Sequence, residues 1–270
     1  MANDAAARDR FTVVQRQLAV VNENMAETDD CLAGLLAEER ELLREHGTEW
    51  ERPLRDALPG LTHVFFNNGE PHHLSFDAAK FPEGAAVLPK VAPEVRYLTL
   101  DLDTLVPGLA AEVFALPVLA SLEALALKGP WGTAGARALA ASRHVKNLTT
   151  LDLSYCEIGP AGVAAVLASS ALPRVNEIDL SGNRIGSEGA TALAAVKQLP
   201  PALHVLHLGD ADLHDVAVTL LGAAPAFRTL RELWLNDNAV TPNGAATLRR
   251  ALKNTTVHMD AENTDGDRRE

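Results

Sequence analysis

Cysteine is nearly absent from this chain of 270 residues: only Cys31 and Cys156 occur, in different segments, so no disulfide framework is expected. Positive charge is also short. Lys and Arg number 24 against 36 Asp and Glu, a formal net charge of −12, which leaves no basic stripe for a nucleic-acid backbone and suits a basic or mixed-charge partner. No apolar run is long enough to span a bilayer, and the start MANDAAARDRF lacks the charged and apolar regions of a signal peptide. A cytoplasmic protein without membrane or nucleic-acid partners is expected. The excess of Arg over Lys and the abundance of Ala suit a bacterium of high genomic GC.

Motifs of catalysis are missing too. There is no GxxxxGK phosphate loop and no GxSxG elbow. His72 and His73 are adjacent, so on a strand they face opposite ways and share no metal. Ser181, His207 and Asp210 form a trio that any polar surface offers by chance, and Cys156 has no adjacent base. The expectation is a chain that is not an enzyme and has no cofactor or metal.

What the chain has is a phrase repeated six times. It reads VRYLTLDLDTL from Val95, LEALALKGPWG from Leu122, LTTLDLSYCEI from Leu148, VNEIDLSGNRI from Val175, LHVLHLGDADL from Leu203 and LRELWLNDNAV from Leu230. Starts lie roughly 27 residues apart, a spacing at which single units share one stacked core. Alternating residues such as Leu151 and Leu153 point inward from a short strand, while Thr150, Asp152 and Ser154 point out. Parallel strands require a crossover, and the stretches after Ile158, Ile185 and Val240 supply helices, with Val163, Val166 and Leu167, or Ala245, Leu248 and Leu252, at helical spacing. Gly162, Gly189 and Gly244 at the starts of these stretches are assigned to tight loops.

The ninth position of the phrase reads Asp103, Pro130, Cys156, Asn183, Ala211 and Asn238. Asn or Cys here satisfies backbone groups at a turn. The second and fifth units depart from this, and Trp131 and His214 beside them mark altered loops. With strands on one face and helices on the other, residues from Val95 to Asn254 resemble leucine-rich repeats of the ribonuclease-inhibitor type. The resemblance implies an α/β solenoid, a horseshoe with its parallel sheet concave and its helices convex.

Upstream, Phe11, Val14, Leu18 and Val21, then Leu32, Leu35, Leu36, Leu42 and Leu43, describe two amphipathic helices, with Thr28 as a cap and Gly47 as a stop. Phe11, Gln15, Leu18, Leu42, Leu43, His46, Gly47 and Trp50 resemble the repeat-companion domain that precedes leucine-rich repeats in some planctomycete and myxobacterial proteins. A solenoid needs its first apolar layer covered, which makes this α-helical hairpin its N-terminal cap. The expected divisions are the hairpin at 1–60, a degenerate first repeat at 61–94 with a strand from His73 to Phe76 and an irregular return from Phe81 to Pro93, repeats at 95–255, and a last strand from Thr256 to Met259 with a polar tail at 256–270.

The function expected is noncatalytic protein binding through the concave sheet. Thr99, Ala126, Asp152, Asp179, His207 and Trp234 form one outward row. A second row contains Asp101, Lys128, Ser154, Ser181, Gly209 and Asn236, and a third contains Tyr97, Thr150, Glu177, Val205 and Glu232. An outward Trp has no core to fill, and Trp is enriched at interface hot spots. Trp234 is therefore the anchor, unless a cap or the tail covers it. Glu177, Asp179, Asp210, Glu232 and Asp237 surround it, and Asp152, Tyr155, His207 and Asn236 complete the partner surface. Two alternatives stand beside this reading. One is a GTPase-activating regulator using Asn183, Arg184 or Asn238. The other is a scaffold that self-associates through the hairpin.

Overall fold

The computed structural model describes the backbone of residues 2–23 and 29–260 and the side chains of 4–19 and 32–260. Thr28, the side chains of Val21 and Cys31, and the tail from 261 lie outside the described residues. The chain divides into two compact units, Met1–Leu98 and Thr99–Glu270, with the boundary inside one strand.

The first unit begins with two helices, α1 (Ala2–Glu23) and α2 (Asp29–Ala57), and the second runs on through Gly47, which does not stop it as the sequence suggests. They pack on an antiparallel hairpin of β1 (Leu61–Asn67) and β2 (Glu70–Asp77). Short helices α3 (Phe81–Gly84) and α4 (Leu88–Val91) then make the irregular return. The strand expected over His73–Phe76 is thus longer and has a partner strand that hydrophobic periodicity did not pick out. Its cause is Asn68-Gly69, with φ of 51° and 79°. Two left-handed residues make the tight turn whose twist matches paired strands.

Polar contacts fasten this turn to α1. The Arg8 guanidinium donates to Gly69 O at 3.1 and 3.3 Å, Gly69 N donates to Gln15 Oε1 at 3.0 Å, and Gln15 Nε2 donates to Phe66 O at 2.8 Å. Beneath them the buried Phe11 ring lies 5.1 Å from Trp50 and 6.1 Å from Phe66. Val14, Leu54, Leu58, Leu74 and Phe76 complete an apolar centre. Each such side chain contributes roughly 1.5–3 kcal/mol by leaving water. His72 and His73 do face opposite ways: one ring meets Tyr97 and the other stacks on Phe65.

The second unit is an α/β solenoid. Its strands are β3 (Tyr97–Asp101, shared with the boundary), β4 (Ala124–Lys128), β5 (Thr150–Asp152), β6 (Glu177–Asp179), β7 (Val205–His207), β8 (Glu232–Trp234) and β9 (Thr256–His258). From β4 onward each pairs in parallel with the next, one unit in register with its neighbour: Leu151 with Ile178, Ile178 with Leu206, Leu206 with Leu233. Helices α5 (Leu109–Phe114), α6 (Gly132–Ala140), α7 (Gly159–Leu167), α8 (Gly186–Ala194), α9 (Asp215–Ala223) and α10 (Pro242–Ala251) form the crossovers. Val163, Val166, Leu167, Ala245, Leu248 and Leu252 are all buried, as their spacing predicts.

Turn chemistry repeats as well. The eighth residue of five successive phrases, Gly129, Tyr155, Gly182, Asp210 and Asp237, has φ between 45° and 84°. The ninth then stitches units together. Asn183 Oδ1 accepts from Cys156 N and Ile158 N in the preceding unit, while its Nδ2 donates to Leu153 O at 2.8 Å and Leu180 O at 2.9 Å. Asn238 does the same for Ala211 N, Leu213 N, Leu208 O and Leu235 O. Cys156 Sγ donates to Leu127 O, the equivalent carbonyl, at 3.1 Å.

Two sequence expectations change. Gly162, Gly189 and Gly244 sit within helices, not in loops, and none has a positive φ. A Cβ on the first two would collide with Ile158 Cγ2 or Ile185 Cγ2, and on the third with Asp215 Oδ1. Close approach selects glycine there. Trp131 is a core residue: its ring lies 5.7 Å from Phe114 and its Nε1 donates to Lys128 O at 3.0 Å. It precedes α6 as Ile158 precedes α7, so the second unit reaches its helix one residue early.

Candidate protein-interaction surface

The strands of the second unit bury their central residue and leave the flanking two half-exposed. Side chains one unit apart therefore stand side by side on the open face of the sheet. Register places Asp179, His207, Trp234 and His258 in one row. The last three form an aromatic stack. His207 lies 5.5 Å from Trp234 with the planes 16° apart, and His258 lies 3.8 Å from its other face at 9°.

A parallel row of carboxylates runs beside the stack. His207 Nε2 meets Glu177 Oε1 at 3.1 Å, and Trp234 Nε1 donates to Glu232 Oε2 at 3.2 Å. His258 Nε2 is 3.3 Å from the same Glu232 oxygen but out of hydrogen-bond alignment. Trp234 is thus half-buried with both faces occupied. The cover foreseen as the alternative comes from the last strand.

Carboxylates at the following turn have structural partners. Asp179 Oδ1 accepts from Ser181 N at 2.8 Å. Asp152 accepts from Ser154 N and Oγ and from Lys128 Nζ at 2.7 Å. Burial pushes the Asp152 carboxyl up, but the bonds from Lys128 and Ser154 outweigh it and hold the group below its ordinary value. Asn236 Nδ2 and Asp237 N both donate to Asp260. Tyr155 is 62% exposed, left-handed, and laid over Gly182, where a Cβ would strike its ring. The charge of Asp210, with Asp237 and Asp179 behind it, raises its hydroxyl above the usual range.

The structure therefore brings Glu177, His207, Glu232 and Trp234 together, and gathers Tyr155, Asp179, Asp210 and Asp237 along the turn edge. Asp152 pairs with Lys128 farther along the sheet. Sequence reasoning missed His258 and Asp260. The strand from Thr256 was foreseen, and continuing the outward row by one more unit would have found the first.

The Ser181, His207 and Asp210 trio does not assemble as a nucleophile and base: His207 faces Glu177, and Ser181 Oγ accepts from Gly209 N. Burial pushes the Cys156 thiol up to about 12, far from a reactive thiolate. Asn183 and Asn238 are committed to backbone, while Arg184 is exposed on its turn.

Residues 144–167 and 175–194 match the family model described as Leucine Rich repeat. No curated protein matches the chain. Among solved structures it is similar to a chain in the crystal structure of a TLR13–ssRNA13 complex, at 19% identity over 62% of this chain and 23% of that one, with a TM-score of 0.39. It is also similar to a leucine-rich-repeat protein of Leptospira interrogans, at 17% identity over 61% of this chain and 54% of that one, with a TM-score of 0.25. The chain thus spans about a quarter and about half of the lengths of these two.

Proposed function

We propose that this chain is a noncatalytic interaction module whose repeats, of the ribonuclease-inhibitor-like type, bind a basic or mixed-charge protein through the open face of the sheet. Leucine-rich repeats generally mediate protein interaction, and the finer reading rests on one observation: the stack of His207, Trp234 and His258 flanked by Glu177 and Glu232. A rigid apolar edge between carboxylates favours a partner that places Arg or Lys beside an apolar contact. Asp179, Asp210 and Asp237 extend the same sign of charge toward Tyr155.

The N-terminal hairpin, with its resemblance to the repeat-companion domain, is read as a cap, and the protein as a cytoplasmic, bacterial one. Among the described residues no helix is long and apolar enough to cross a membrane. Self-association through the hairpin keeps one observation in its favour, since Val13, Leu36 and Leu43 remain exposed on α1 and α2. The GTPase-activating alternative retains only Arg184 of its three candidate residues in an exposed position.

The test is capture from the lysate of the source organism with the intact chain and with Trp234→Ala in parallel, followed by direct titration of each retained protein. A basic partner bound at least about tenfold more weakly by the variant supports the reading. Equal binding by both forms sinks it.

A further inference from the structure

The first unit contains a cluster of ligating groups that the proposed interaction does not use. Asp4 stands in the first turn of α1, and His46 and Glu49 stand three residues apart on one face of α2. One ligating atom from each lies within 4.8 Å of the other two. His46 is the nitrogen donor of the set. Its side chain is only 20% exposed, yet its ring nitrogens stand 3.9 Å from Asp4 Oδ1 and 4.0 Å from Glu45 Oε2, too far for a hydrogen bond to either.

Trp50 positions two of the three groups. The His46 ring lies nearly parallel to it, 15° apart with centroids at 5.7 Å, and the indole Nε1 donates to Asp4 Oδ1 at 2.8 Å. Contacts of this kind fix the orientation of metal ligands. Glu49 is exposed, and one of its carboxylate oxygens lies within the same 4.8 Å of the other two groups. One nitrogen and two oxygens suit a borderline divalent ion, whereas calcium and magnesium prefer oxygen alone.

We propose that Asp4, His46 and Glu49 bind one divalent ion of the zinc class, clasping the start of α1 to α2 and leaving a coordination position for water or a further ligand. The ion would neutralise two carboxylates that face one another across the helix pair. It would also tie down the end of α1 whose inner residues, Phe11 and Val14, fill the core of this unit.

The test uses the full chain without a polyhistidine tag, freed of metal by chelation and titrated with Zn²⁺ calorimetrically, with Co²⁺ as an absorbance probe. One equivalent is expected, with visible Co²⁺ bands and a raised thermal midpoint. Glu49→Gln, at an exposed position, should fold as the parent and bind more weakly, and His46→Gln should abolish the Co²⁺ bands. Trp50→Phe, which removes the bond to Asp4, should weaken binding about tenfold. Absence of binding to the parent overturns the proposal, as does unchanged binding by Glu49→Gln and His46→Gln together, which would place an adventitious ion on other histidines.

Discussion

Trp234 and His258 lie ring on ring, 3.8 Å apart and 9° from parallel, although 24 residues separate them in sequence. The last strand closes one face of the indole, and His207 closes the other at 5.5 Å. Trp50 and Trp131 are 4% and 1% exposed, so tryptophan emission accessible to a quencher comes from Trp234. His258→Ala should raise the Stern–Volmer constant for acrylamide while leaving the far-UV circular dichroism unchanged. An unaltered constant would mean that the stack does not persist in solution.

The stitch made by Asn183 should be worth more than that made by Cys156. Asn183 serves two N–H groups and two main carbonyl partners in a buried turn, and each group left unsatisfied costs roughly 1–3 kcal/mol. Asn183→Ala should destabilise by about 3 kcal/mol or more in urea melts. Cys156→Ala, which removes one weak donor, should cost about 1 kcal/mol. Equal losses would contradict the ladder.

Glycine should be the better residue at two helical positions despite its poor propensity. Exchange for Ala gains up to about 1 kcal/mol in an unhindered helix. At Gly162 and Gly189 the added methyl meets an Ile whose branched side chain turns poorly, and overpacking costs about 1–3 kcal/mol. Gly162→Ala and Gly189→Ala should each lower the denaturation midpoint, whereas Gly34→Ala, where nothing lies within 4 Å, should leave it level or raise it.

Acid should weaken the second unit partly through Asp152. Its folded carboxyl titrates below the ordinary value because Lys128 and Ser154 bond to the charged form, against the opposing effect of burial. A depressed carboxyl contributes stability above its unfolded pKa of about 3.9 and loses it as pH falls through the folded value. Asp152→Asn should therefore flatten the fall in thermal midpoint below about pH 4. A curve parallel to that of the parent would remove Asp152 from the acid transition, leaving Asp215 and Asp260, whose carboxyls are also held low, by Thr241 and by the Asp237 N–H.

The repeats were legible because their information is local and redundant: Leu151, Ile178, Leu206 and Leu233 each announce a strand, and the spacing announces the stacking. Asn183 and Asn238 were legible as turn residues for the same reason. The β1–β2 hairpin was written in Asn68-Gly69 and in alternation around it, but the apolar count there was too low for periodicity to stand out. The roles of Gly162 and Trp131 were not legible, because both depend on which residue of a neighbouring turn approaches. The surface was read in part: its outward rows follow from pleating, while the stacking of His258 on Trp234 depends on a strand of only three residues, and Trp50 between Asp4 and His46 depends on how two helices meet.

The stitching is broken at two junctions. Cys156 and Asn183 join the second, third and fourth repeats, and Asn238 joins the sixth to the fifth, but Pro130 offers the first repeat, and Ala211 the fourth, no such side-chain bond. Backbone pairing continues across the latter junction, with Ser181 Oγ receiving Gly209 N. Between β6 and β7 the repeats are therefore held by strand pairing, that hydroxyl and the His207 and Glu177 contact. His207, Trp234 and His258 all lie beyond this junction, while Glu177 and Asp179 stand on its near side. Any parting of β6 from β7 would carry the aromatic stack away intact and break the His207 and Glu177 contact, so that one contact ties the two halves of the candidate binding face together where the Asn ladder does not.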